Sequence, residues 1–164
     1  MSLSNGSWLS VALLVVAAHV QPAEEVEMDQ TRMKQIVSGL FEVVWNGADF
    51  SGVDQVWGAE VDLHFRGSTS KVDAHGLQNI VTYWRTAFPD LIFSVHQVIA
   101  EGDTVAARVS FTGTQLGKFG ELEPTGRRVE VSEMMFFRFA DYKVIEAWED
   151  FDELGMRQQL GAVE

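Results

Sequence analysis

Apolar positions recur along this chain with two periods, and the switch between them divides it. Met33, Ile36, Val37, Leu40, Phe41 and Val44 follow the i, i+3, i+4, i+7 spacing of one helix face. They predict a helix over 24–46, with Glu24, Glu25, Glu27 and Asp29 favouring its positive N-terminal end and Asn46-Gly47 stopping it. A second short helix is predicted over 50–57, with Val53, Val56 and Trp57 inward. Residues 60–66 alternate as a strand, and 67–70 read as a loop. Leu77, Ile80, Val81, Trp84 and Phe88 stripe a third helix over 74–88, stopped by Pro89-Asp90. From Leu91 onward the period is two. Strands are predicted over 91–101 and 104–113 around a Gly102-Asp103 turn. A glycine-containing loop follows over 115–127. Strands over 128–140 and 144–151 turn through Asp141-Tyr142-Lys143, and a helix over 152–160 is capped by Asp152. Helices interleaved with one strand, then four antiparallel strands, predict an α+β fold: a curved antiparallel sheet wrapped around three N-terminal helices.

Composition narrows the function classes. The 164 residues suit one domain, and 46% hydrophobic content supplies a core. Eleven Phe and five Trp could also line an apolar pocket. A net charge of −12 argues against nucleic acid, whose phosphates need a basic face, and against anionic membrane surfaces. With no Cys there is no disulfide and no thiolate nucleophile or metal ligand. The scattered histidines show no metal-ligand spacing, so no metal site is expected.

The stretch 8–20, WLSVALLVVAAHV, is apolar but shorter than the ~20 residues that span a bilayer. It has the length of a signal-peptide core, with Ala17 and Ala18 near a cleavage point, yet no Lys or Arg precedes Arg32. The expected organisation is an apolar N-terminal extension or signal-like segment over 1–23, then one domain over 24–164. The expected location is cytoplasmic, with export the alternative if 1–23 is a signal peptide.

Several strings, among them VWNGADFSGVDQVWGAEVDLHF, HGLQNIVTYWRTAFPDLIF and FFRFADYKVIEAWEDFDELGMRQQLG, resemble the SnoaL-like polyketide cyclase family of the nuclear-transport-factor-2-like superfamily. The resemblance covers about residues 30–161. It implies a cone-shaped α+β fold with a deep apolar pocket, and homodimers through the outer sheet face. It also implies cofactor-independent ring closure, in which an acidic side chain removes a proton from carbon next to carbonyls. The family's acid follows the tryptophan of the last strand, here Trp148, so the position falls on Glu149, where the cyclases carry Asp. Their histidine fourteen residues earlier is replaced by Met135, which cannot donate a hydrogen bond.

Strand parity refines the candidates. Neighbouring strand residues face opposite ways, so Asp150, the adjacent acid, faces away if Glu149 faces inward. Glu133 shares Met135's face and is a candidate carboxyl partner for Glu149. His64 is in phase with Asp62 and Arg66 and out of phase with Val61, Leu63 and Phe65, but the resemblance places it in the pocket as a hydrogen-bond donor. Arg66 is read as a carboxylate ligand or a rim salt bridge. Trp84, Phe88 and Trp148 are the expected pocket walls, with Trp45 and Met135 as further lining.

Three functions compete at this point. The first is a cofactor-independent cyclase or isomerase acting on an apolar, carbonyl-bearing small molecule of polyketide or terpenoid type. Glu149 would be its base, helped by His64 and Glu133. The second, favoured by Met135, is a binding protein without catalysis. The third is a limonene-type epoxide hydrolase, disfavoured because the chain has only Tyr83 and Tyr142 to place a water.

Overall fold

The computed structural model describes residues 28–163. The segment 1–23 and the predicted first helical turns before Met28 lie outside the described residues. Helix α1 (Gln30–Gly39) starts at Asp29, whose carboxylate accepts the Thr31 amide. It continues as a π-helical stretch over Leu40–Asn46, closed by Gly47. The apolar stripe survives this change of winding: Met33, Val37, Leu40, Phe41 and Val44 are all buried. In place of the second predicted helix there is a single 3-10 turn, Val53–Gln55. Trp57 already belongs to strand β1 (Trp57–Phe65), and its indole N–H donates to the Val72 carbonyl at 3.0 Å.

The predicted loop at 67–70 is instead a hairpin. Strand β2 (Ser68–Val72) pairs antiparallel with β1 through a two-residue Arg66-Gly67 turn. Its polar sequence, STSKV, suits an exposed edge that alternation cannot reveal. Helix α2 (Ala74–Ala87) matches expectation, capped by Asp73 and stopped before Pro89. Strands β3 (Ile92–Glu101), β4 (Thr104–Thr114), β5 (Arg128–Ala140) and β6 (Lys143–Phe151) form the meander, and α3 (Glu153–Leu160) closes the chain from an Asp152 cap.

The six strands run β2-β1-β6-β5-β4-β3. β1 lies parallel to β6, so the sheet is mixed, not wholly antiparallel. This long-range pairing places residues 57–65 beside the last strand. The α+β class stands, with six strands where five are predicted. Two main helices lie on one face, since α1 packs on β3 and β4, and α2 on β1 and β2. The third helix is α3, after the sheet, packed on β5.

One sheet face is the core. Along β5 burial alternates without a break: Val129, Val131, Glu133, Met135, Phe137 and Phe139 point in. Phe41 of the π-helical stretch meets Phe93 at 5.5 Å and Phe137 at 6.4 Å between ring centroids. Burying one such side chain contributes roughly 1.5–3 kcal/mol. In β3 the pairing register shifts between Val95 and Gln97. Strict alternation would turn Gln97 and Ile99 inward; the bulge at His96 leaves both exposed and brings Val98 and Ala100 against the core instead. Among the described residues, no helix is long and apolar enough to cross a membrane.

Candidate active site

Two carboxyls stand in the otherwise apolar inner face. β5 and β6 pair so that Met135 opposes Glu149 and Glu133 opposes Phe151. Glu133 and Glu149 are therefore diagonal neighbours on one face, a separation of roughly 7–8 Å between backbones that side chains can shorten. Only 4% of Glu133 is exposed. Glu149 lines a small cavity of about 20 Å³ with Leu40, Trp45, Leu63, Met135 and Phe137 among its walls.

That setting fixes the electrostatics. Burial removes water from both groups and disfavours their charged forms. It pushes Glu149 from an ordinary value of 4.5 to about 7. Glu133 is raised well above the same ordinary value, first by burial and then by the negative charge of Glu149. Like charges this close do not ionise together, so near neutrality the pair holds one carboxylate and one acid. Glu133 is the more deeply buried of the two, Glu149 being only half-buried. A protonated carboxyl donates a hydrogen bond while its ionised neighbour accepts a proton, the two capacities an enolising site needs.

The ten candidate residues divide into four groups. Glu149, Met135 and Trp45 line the inner cavity, and Glu133 is buried on the same sheet face beside Glu149. Trp84 and Arg66 border a cleft of about 460 Å³ beyond it, next to Phe65 and Phe151. Phe88, expected in a pocket wall, is fully buried core beneath Trp84, with ring centroids 5.9 Å apart. His64 and Trp148, expected in the pocket, lie instead on the opposite, outer sheet face, together with Asp150, which strand parity already turns away from Glu149.

The outer-face residues have their own arrangement. The His64 ring stacks on Trp148 at 5.0 Å with a 10° tilt. Its Nε2 hydrogen-bonds the Glu146 carboxylate at 2.8 Å, and its Nδ1 and the Thr69 hydroxyl share a hydrogen bond at 2.9 Å. Arg138 completes an ion pair with Glu146 and, with His64, holds that carboxyl below its usual range. Met134, Phe136 and Trp148 form an exposed apolar strip along a groove of about 790 Å³ on this face.

Sequence reasoning missed three contributors. Phe65 and Phe151 stack at 5.6 Å with a 14° tilt, and register pairs them with Glu149 and Glu133 respectively. They cover the carboxyls from the cleft side; alternation could have found both. Gln115, fully buried, organises the loop after β4: its amide donates to the Gly117, Leu122 and Glu123 carbonyls and its oxygen accepts from Thr125. That loop lays Phe119 on Trp84 at 4.8 Å. Nothing in the local pattern marks a lone glutamine as buried. Among the described residues, no three His, Asp or Glu side chains converge as a metal site needs.

With this geometry in hand, comparison with known proteins defines the class. The SnoaL-like polyketide cyclase family pattern matches residues 35–160, well over half the chain. The chain belongs to that family. No match was found among curated proteins. Among solved structures, AclR from Streptomyces galilaeus, provisionally described as a hydroxylase, is 28% identical with a TM-score of 0.72, over 83% of this chain and 89% of that one. TsrD from Streptomyces laurentii is 25% identical with a TM-score of 0.75, over 84% and 100%. IdmH from Streptomyces antibioticus, provisionally described as a polyketide cyclase, is 26% identical with a TM-score of 0.69, over 79% and 98%.

Proposed function

We propose that this chain is a cofactor-independent enzyme of cyclase or isomerase type, acting by carboxyl acid–base chemistry on an apolar, carbonyl-bearing small molecule of polyketide or terpenoid kind. The observation that carries the reading is the buried Glu133/Glu149 pair, placed by two adjacent strands in an apolar interior. Glu149, as carboxylate, takes a proton from carbon beside a carbonyl. Glu133, as acid, donates its hydrogen to the carbonyl oxygen as negative charge builds there. The enol carbon then attacks a second carbonyl of the same molecule, closing a ring, or is reprotonated elsewhere, giving an isomer. In either case Glu149 gives up the proton it took, to the new alkoxide oxygen or to the new carbon position, while Glu133 recovers its own from the enol oxygen as the carbonyl reforms, and no redox partner is consumed. Glu133 thus supplies the hydrogen-bond donor that Met135 cannot.

We assign the chemistry to the inner face and not to the wide outer groove: Glu149 borders both, but the His64 and Asp150 side chains alternate away from the inner row that holds the pair. Its exposed strip of Met134, Phe136 and Trp148 is large for a free surface and supports a homodimer through that face. We place the chain in the cytoplasm because no Lys or Arg precedes Arg32 to give 1–23 the basic start of a signal peptide, with export of the chain the competing outcome if 1–23 is one.

A second reading, ligand binding without turnover, draws support from the small size of the inner cavity, about 20 Å³, which holds no more than a water unless it opens. The epoxide-hydrolase reading draws none. The Tyr83 hydroxyl accepts the Gly120 amide and the Tyr142 hydroxyl accepts the Asp29 amide, so neither is placed to hold a water beside the carboxyl pair. Replacing Glu149→Gln separates the first two readings: turnover is lost with binding retained if the pair is catalytic. Unchanged turnover in that variant sinks the assignment.

A further inference from the structure

The cleft above the carboxyl pair carries a charge arrangement that the proton chemistry does not use. Arg66 and Arg157 both pair with Glu153, Arg157 at 2.6 Å. Two guanidinium groups thus share one carboxylate inside the cleft of about 460 Å³. Both arginines remain about half exposed at 51% and 45%, so their remaining donors face open space, whereas Glu153 is 23% exposed beneath them. The chain has only 12 basic residues against 24 acidic ones, so two converging arginines are a local exception to its charge. Glu121, the other acid on this cleft, is exposed on the covering loop.

Backbone strain sharpens the point. Arg66 has φ +53 and Gly67 φ +74, a two-residue turn that suits Asn-Gly. Arginine is a poor choice there by conformation alone. Its side chain reaches back over the Phe65 ring, with the guanidinium carbon 5.1 Å from the centroid. Phe65 and Phe151 are the stacked rings that cover Glu149 and Glu133, and Trp84 and Phe119 supply the cleft's other apolar wall.

We propose that this cleft is the substrate's outer binding site, and that Arg66 and Arg157 hold an anionic group, a carboxylate, on a substrate whose apolar ring body lies against Trp84, Phe119 and Phe151. This rests on the proposed carboxyl chemistry and adds the substrate's polarity: an acid at the mouth, a carbonyl-bearing apolar end toward Glu149. Planar guanidinium forks suit such a group because they bind carboxylates through paired hydrogen bonds.

The test uses two probes of the same shape on the full-length chain: 1-anilinonaphthalene-8-sulfonate, which is anionic, and N-phenyl-1-naphthylamine, which is neutral. The variants are Arg66→Asn, which suits the turn and keeps the fold, and Arg157→Gln, with Arg157→Lys as the charge-preserving control. Each neutralising variant is expected to raise the Kd of the anionic probe about tenfold and to leave the neutral probe within twofold. Arg157→Lys is expected to recover most of the loss. Met134→Ser, on the outer groove, is expected to change neither titration. An anionic-probe Kd unchanged in both neutralising variants, or equal weakening of both probes, overturns the proposal. Glu149→Gln leaves these titrations intact, so failure of the arginine site and failure of the proton chemistry read out separately.

Discussion

Glu133 and Glu149 face each other diagonally across β5 and β6, with Phe151 opposite the first and Met135 opposite the second. The same offset puts an aromatic lid beside one carboxyl and a thioether beside the other. Both groups are thereby kept from water and from any cation, and burial is the leading cause of their raised pKa values.

Stability should fall as pH rises. Unfolded, Glu149 ionises near 4.5; folded, near 7. Below the unfolded value both states are protonated and there is no penalty. Between the two values the folded state binds the extra proton, so stability declines as pH rises, and the loss is complete above about 7. The rise corresponds to on the order of 3 kcal/mol, and Glu133 adds in the same direction. Denaturant unfolding should show a more stable protein at pH 5 than at pH 8, with Glu149→Gln flattening the profile and exceeding wild type at pH 8. A profile that rises over that range contradicts the buried pair.

Gln115→Leu should loosen the loop over Trp84. It leaves the carbonyls of Gly117, Leu122 and Glu123 and the Thr125 amide without their partner. The expected loss is about 2 kcal/mol, or roughly 4–8 °C in Tm. Indole fluorescence should shift as Phe119 leaves Trp84. A Tm within 1 °C of wild type, by calorimetry, would assign the network no structural weight.

The outer face gives a third expectation. If Met134, Phe136 and Trp148 meet a second copy, Phe136→Arg should convert a dimer to a monomer in sedimentation velocity. A wild-type monomer at micromolar concentration rules the dimer out. His64→Ala on that face should leave turnover within about twofold, because its partners are Glu146, Thr69 and Trp148 and not the carboxyl pair.

The sequence was readable where one face alone is buried. In β5 every second residue is apolar except Glu133, so the lone acid in the inward row could be singled out, and the register agrees. It failed where a neighbour decides. β2 is polar on both faces, so nothing local marks STSKV as a strand. The bulge at His96 reverses the side-chain phase of the residues that follow. His64 had the outward phase in its own sequence; only family likeness drew it inward, and the stack on Trp148 shows that phase was the better guide. The shape of the cleft is set by the packing of Phe65, Trp84, Phe119 and Phe151 from four separate segments, which no local window contains.

The most direct measurement is the pH dependence of α-proton exchange from a simple aryl β-keto ester into deuterated buffer, followed by proton NMR in wild type and Glu149→Gln. The account expects wild-type catalysis to rise through an apparent pKa near 7 as Glu149 ionises, and to fall at higher pH when Glu133 loses its proton. It expects the glutamine variant to show only the buffer rate while still binding the ester. Wild-type exchange no faster than buffer at any pH, or exchange unchanged by Glu149→Gln, would contradict a carboxyl pair that moves protons.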